Sequence, residues 1–392
     1  MANQFSRRQW LKGIGASLAG AAAFSSLLPE TVFAQEREGG GHRGEIGRIG
    51  REFMQKYHVP GMSVAISKNG RFVYEHQWGM ADQQHSQQVQ PSSLFRIASV
   101  TKPITSVTIF SLIEQGKLTM HDKVFGPSGI LGTKYGKPPY KQYVADVTVD
   151  HLLTHTAGGW PDDGTDPMFR NQGWDHEKLI TWAIKDIPLT YAPGEHWAYS
   201  NFGYCVLGRV IEQVTGQSYS NYVQNNILNR CGISDMRIGG NKERDRAPNE
   251  VVYKGQFGEN PNSMNVTRMD SHGGWIATPG DLVRFLNGIT GAADSPGLLN
   301  RGSIRTMTTP APASSQSSEV RYARGWNVRD NGMGNWWHNG SLYGTTSIMV
   351  RTSTGMCWAA LINTRTEPSD EISSALDQMV WNMVGQVPAW GA

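Results

Sequence analysis

Ser99 and Lys102 stand three residues apart at the start of a predicted helix, in Ser99-Val100-Thr101-Lys102-Pro103. Residues at that separation share a helix face, so the hydroxyl and the amine can converge. A serine hydroxyl is a weak nucleophile until a base takes its proton, and a desolvated lysine is such a base. The helix start adds backbone N–H groups that have no intrahelical partner. A Ser-x-x-Lys tetrapeptide alone is common, but two further segments give it context. Tyr199-Ser200-Asn201 follows a Pro193-Gly194 turn and supplies a phenol and an amide. A phenol beside an ammonium group can shuttle protons between nucleophile and leaving group. His338-Asn339-Gly340 precedes a predicted strand over 342–351, whose edge can present backbone N–H groups as an oxyanion hole.

Other constellations carry less chemistry. His151 and His155 are four apart, but no Glu of a zinc-protease motif lies between them. Asp162, Asp163 and Asp166 lack calcium-loop spacing and read as a solvated acidic loop. Cys205, Cys231 and Cys357 are too scattered for a zinc site. No metal and no cofactor is expected. No Gly-x-Ser-x-Gly elbow occurs, which argues against a triad on an α/β-hydrolase sheet. Several tryptophans flank the motifs. Trp160, Trp336 and Trp337 are the candidates for a hydrophobic acyl-binding wall.

The elements that must position these groups are legible from patterning. Ile46, Ile49, Phe53, Met54 and Tyr57 recur at helical spacing, ending at Val59-Pro60-Gly61. Met62, Val64 and Ile66 alternate, then Asn69-Gly70 and a second strand to Gly79 make a β-hairpin. Helices are predicted over 99–114, over 149–155 and from Asn201 to Gly216. Another starts at Thr278-Pro279-Gly280-Asp281, with Thr as cap and Pro at the first position. Long loops cover 126–143 and 158–175, the kind that often forms lids or pocket walls. Strands return at 322–328, 342–351 and 356–363, and a final helix spans 372–384. The fold class is therefore α/β (α+β): an antiparallel sheet built from both chain ends, flanked by helices, with a mainly helical region inserted. The expected division is a sheet domain over 45–98 and 289–392 and a helical domain over 99–288.

The first residues carry a different signal. Ser6-Arg7-Arg8-Gln9-Trp10-Leu11-Lys12, the apolar run 13–28 and Val32-Phe33-Ala34 read as a twin-arginine signal peptide over 1–34, with a linker over 35–44. The apolar run is short for a membrane span. The expectation is a periplasmic or secreted protein with no stable membrane anchor after signal removal. Arg7, Arg8 and Lys12 against Glu30 make that segment +2, leaving about +1 of the formal +3 for the rest. That balance gives no electrostatic case for a nucleic-acid partner.

Ser99-x-x-Lys102, Tyr199-Ser-Asn201 and His338-x-Gly340, in this order, resemble the three motifs of the serine β-lactamase and penicillin-binding superfamily. The Tyr-x-Asn motif is similar to that of class C β-lactamases, D-alanyl-D-alanine carboxypeptidases and related esterases and D-aminopeptidases. The resemblance extends over roughly 45–385, including Leu152-Leu153-Thr154-His155-Thr156-Ala157-Gly158, a structural buttress of the nucleophile's helix in that family. It implies a β-lactamase/transpeptidase-like fold and an acyl-enzyme on Ser99. Lys102 would be base or electrostatic partner, and Tyr199 the proton relay. Asn201 would bind the acyl-side amide, with His338, Asn339 and Gly340 lining the substrate. The backbone N–H groups of Ser99 and Ser341 would form the oxyanion hole. Most β-lactamases have Lys where this chain has His338, so a peptidase or esterase acting on a small-molecule or peptide acyl substrate ranks first. A β-lactamase, an acyltransferase and a non-turnover penicillin-binding sensor are the alternatives.

Overall fold

A computed structural model describes residues 42–292, 295–313, 320–329, 334–387 and 390. The twin-arginine segment and most of the linker lie outside the described residues. The described part belongs to one compact unit, Glu38–Ala392. The helix α1 (His42–Tyr57) already includes the last residues assigned to the linker.

The hairpin forms as its turn predicts. Strands β1 (Gly61–Lys68) and β2 (Arg71–Asp82) pair antiparallel around Asn69 and Gly70, both at positive φ. Such a turn needs two left-handed residues, which Asn and Gly supply at least cost. A short β3 (Gln87–Gln88) adds to β2. The remaining strands of this sheet are β4 (Val320–Tyr322), β5 (Asn327–Arg329), β6 (Trp336–Leu342), β7 (Thr345–Arg351) and β8 (Met356–Ile362). The eight run in the order β4-β5-β6-β7-β8-β1-β2-β3. The chain ends meet where Met62 to Lys68 of β1 face Ile362 to Met356 of β8.

Two expectations need correction here. The segment 322–328 is not one strand, because a bend with Gly325 at φ 86° separates β4 from β5. His338-Asn339-Gly340 does not precede a strand but lies inside β6, whose partner β7 follows the turn at Tyr343-Gly344.

Successive side chains on a strand point to opposite faces, and both faces of the central strands are covered. Val64, Ile66, Trp358 and Ala360 pack against α1 and the last helix, α6 (Ser369–Gly385). Ala65, Cys357, Ala359 and Leu361 face the larger core. Into that core project α2 (Thr101–Glu114), α3 (Val149–Leu153), α4 (Asn201–Thr215) and α5 (Pro279–Thr290). The start of α5 is capped reciprocally, with Thr278 Oγ1 accepting from Asp281 N and the Asp281 carboxylate accepting from Thr278 N. Helix α2 is buried on every side from Thr101 to Leu112, as expected of a helix enclosed by other elements. No described helix is long and apolar enough to cross a membrane.

Candidate active site

The nucleophile candidate sits on a tight 3-10 turn, Ala98–Val100, that runs directly into α2. Ala98 is held at φ 47°, a conformation that a residue with a Cβ adopts at a cost. Surrounding contacts impose it. Ile97 O accepts hydrogen bonds from Val100 N at 3.1 Å and Ser347 Oγ at 2.7 Å. Strand β6 presses on the same turn at Gly340. A Cβ there would lie 2.4 Å from Ile97 O and 3.0 Å from the Ala98 Cβ, so only glycine allows the approach. Gly340 therefore sets the distance between strand and nucleophile. Beyond Trp337 that edge of β6 is not paired with β5, and Ser341 follows on it, with its own hydroxyl buried and unpartnered.

Lys102 is fully buried in the first turn of α2, one helical turn beyond Ser99. Its Nζ lies 3.1 Å from Ser99 Oγ, 2.7 Å from Asn201 Oδ1 and 3.1 Å from the carbonyl of His272. The last two can only accept. A neutral amine has two N–H bonds and one electron pair. With its N–H groups given to Asn201 and His272, its electron pair is left for the Ser99 hydroxyl. Burial pushes the Lys102 amine down to about 7, against the opposing pull of Asp162 and Asp166. Near neutral pH both protonation states are therefore populated, which suits a general base.

Tyr199, just before α4, shares a hydrogen bond with Ser99. The Lys102 Nζ stands 4.6 Å from the centre of its ring. Burial raises the phenol well above its ordinary value, although the Ser99 bond opposes this. Tyr199 is thus a neutral proton carrier at pH 7. Ser99 and Tyr199 are both partly exposed, while Lys102 is closed off from solvent.

Two histidines define the wall behind Tyr199. His155 Nδ1 accepts from Ser200 N at 3.1 Å, and its carbonyl accepts from Ala198 N at 2.9 Å. Its ring centre is 4.3 Å from that of Tyr199. His155 therefore anchors the Tyr199 motif itself, a closer role than buttressing the nucleophile's helix. His338 is buried, with Nδ1 2.7 Å from the Asn339 carbonyl and Nε2 3.1 Å from the Tyr322 hydroxyl. A carbonyl only accepts, so Nδ1 carries the proton and Nε2 receives the Tyr322 O–H. Burial and then the Lys102 charge push His338 down to about 3. It is a neutral imidazole with both nitrogens engaged, not a cation facing a substrate. Asn339 points outward and is exposed.

The tryptophan wall is corrected. Trp160 is buried in the core against Phe125 and Phe202. Trp336 is buried edge-on to Trp326, their ring centres 4.5 Å apart. Trp337, one residue along β6, faces the opposite side of the sheet with the cluster packed on α1 and α6. The aromatic that does flank the motif is Trp197, partly exposed and 6.4 Å from both His155 and Tyr322, ring centre to ring centre.

The acidic loop is corrected too. Asp163 is exposed, but Asp166 is 1% exposed and its Oδ2 accepts from Asn201 Nδ2 at 2.9 Å. Burial, then neighbouring Asp162, raises its carboxyl to about 7, against the bonds from Asn201 and Met168. A local signal was available: Asp-Pro opening a short turn is a helix-cap pattern, and Asp166 does cap the 3-10 turn Pro167–Phe169. His272 reaches the site through its carbonyl, which no residue-type motif could reveal.

A family model described as Beta-lactamase matches residues 47–378. Protein flp of Staphylococcus aureus strain N315 is 28% identical over 243 residues, 59% of this chain and 48% of that protein. Penicillin-binding protein 4* of Bacillus subtilis is 31% identical over 188 residues, 45% of this chain and 37% of that one. The match thus spans half or less of the length of these relatives. An octameric penicillin-binding protein homologue from Pyrococcus abyssi superposes with a TM-score of 0.70 at 24% identity, covering 88% of this chain and 79% of its own. A D-alanine carboxypeptidase from Burkholderia cenocepacia gives 0.70 at 20% identity, covering 87% and 99%. A D-amino acid amidase from Ochrobactrum anthropi gives 0.68 at 21%, covering 86% and 99%. At these identities the likeness is one of fold.

Proposed function

The chain belongs to the Beta-lactamase family, and on that premise we propose that it is an exported serine hydrolase that cleaves an amide or ester through an acyl-Ser99 intermediate. The observation that carries this is Lys102 Nζ at 3.1 Å from Ser99 Oγ, with its other two neighbours fixed as acceptors. Ser99 Oγ bonds to the acyl carbon as its proton passes to the Lys102 amine. The backbone N–H groups of Ser99 and Ser341 stabilise the oxyanion. Collapse breaks the bond to the leaving group, which takes a proton through Tyr199, and water then cleaves the acyl-enzyme by the reverse transfers. The reading of export rests on the twin-arginine segment alone.

The substrate class follows from His338. A neutral imidazole already bonded to Tyr322 and Asn339 offers no positive charge to a substrate carboxylate. This favours carboxylate-free amides and esters over β-lactams, and over D-Ala-D-Ala peptides, whose terminus also carries a carboxylate. The solved D-amino acid amidase of the same fold lends the amide reading some support. A panel of p-nitrophenyl esters, D-amino acid amides, D-Ala-D-Ala peptides and nitrocefin, run beside Ser99→Ala, tests the ranking. Turnover of esters or amides, with nitrocefin at least about tenfold slower in kcat/KM, is expected. Rapid nitrocefin turnover with no action on esters or amides would reverse the ranking. Transfer of the acyl group to an added alcohol, or a stable penicillin adduct without turnover, would identify the acyltransferase and sensor alternatives.

A further inference from the structure

We propose that Asp166 is a positioning residue for this reaction: it locks the Asn201 amide in one orientation and thereby keeps Lys102 aimed at Ser99. The inference rests on the acyl-Ser99 reading and assigns the control of its base.

The oxygen and the NH2 of an asparagine amide are nearly the same size, so a flip costs little unless the partners forbid it. Here Asn201 Oδ1 faces Lys102 Nζ at 2.7 Å and Nδ2 faces Asp166 Oδ2 at 2.9 Å. With Asp166 ionised, as it is above about pH 7, a flipped amide would set NH2 against a donor on one side and oxygen against carboxylate oxygen on the other. Asp166 is itself immobilised. Its Oδ1 accepts from Met168 N at 2.8 Å, and its own N–H donates to Asp163 O at 3.0 Å.

The loop behind it is held from a distance. Arg268 donates to the carbonyls of Met168 and Arg170 through one nitrogen and of Asn171 and Trp174 through the other. Arg268 lies on the 3-10 turn Val266–Met269, four residues before the His272 carbonyl that receives the second Lys102 N–H. One guanidinium therefore ties together the supports of both fixed acceptors of Lys102. Three charged groups interact with Asp166: Asp162 on the same loop, Lys102 from α2, and Arg268.

The test uses the rate at which a fluorophosphonate probe labels Ser99, followed from about pH 5 to 9 in the full chain. In the wild-type protein the rate should rise with pH through about 7, as Lys102 loses its proton. Asp166→Asn keeps the size but permits the flip, and should lower the plateau by about 10–100-fold. It should also move the midpoint to lower pH, because one carboxylate fewer stabilises the ammonium. Asp166→Ser retains a cap for Met168 N but cannot reach Asn201, so it should show the same loss if Asp166→Asn folds poorly. In an Asn201→Ala background, Asp166→Asn should cost less than about threefold more, since both act through one amide. Unchanged rate and midpoint in both Asp166 variants, or fully additive losses, would overturn the proposal while Ser99 labelling stands. Absence of Ser99 labelling in the wild-type protein would instead remove the acyl-enzyme reading.

Discussion

Lys102→Met is expected to lower kcat/KM by about 10²–10⁴-fold on any substrate the protein turns over, the usual contribution of a positioned general base. Methionine is close in length and suits the buried site, so the loss should be chemical rather than a failure to fold. The variant strands Asn201 Oδ1 and the His272 carbonyl, each of which loses its 2.7–3.1 Å donor. A buried acceptor without a partner costs about 1–3 kcal/mol, partly offset because no amine need be desolvated. Steady-state kinetics with a thermal melt separates the two effects. Activity within threefold of wild type would mean that another group takes the Ser99 proton. The same base predicts a pH profile. Activity should fall as pH drops below about 7, because the ammonium form of Lys102 has no electron pair for Ser99.

Asp270→Ala should produce the largest loss of stability. Asp270 pairs with Arg209 of α4 and lies 3.5 Å from His176 Nε2, and both Asp270 and Arg209 are buried. Removing one partner leaves a buried guanidinium with an incomplete set of acceptors, a change that typically costs about 3–5 kcal/mol. For a chain of this length that is roughly 4–7 °C in the unfolding midpoint. Burial alone would push the Asp270 carboxyl up, but Arg209 and His176 hold it well below the usual range. Its contribution is therefore fully present above the ordinary carboxylate pKa near 3.8 and is lost as pH falls below that value. Asp270→Ala should accordingly flatten the acid side of the stability curve, measured by denaturant unfolding from about pH 3 to 7. An unchanged midpoint at neutral pH would show that the pair contributes nothing net.

The framework was largely legible because it rests on short-range rules. Alternation and an Asn-Gly turn give β1 and β2, and reciprocal capping by Thr278 and Asp281 gives the start of α5. Ser99 and Lys102 converge because helical spacing is local. What escaped depends on distant packing. Asn and Gly are poor strand residues, so Asn339 and Gly340 read as lying outside a strand; Gly340 is there because another backbone segment comes within reach. The facing of Trp336 and Trp337 is set by strand parity, which inverts with a one-residue slip. Asp166 looks solvated in its own sequence of Asp, Gly and Thr. Its burial is imposed by Asn201 and by Arg268, 35 and about 100 residues away.

The central claim is that acyl transfer passes through Ser99. Mass spectrometry of the protein quenched during turnover of a p-nitrophenyl ester tests it most directly. The expected result is an adduct of the acyl mass on the peptide containing Ser99, absent from Ser99→Ala, whose turnover falls to background. An adduct on another residue, or turnover persisting in Ser99→Ala, would contradict the account.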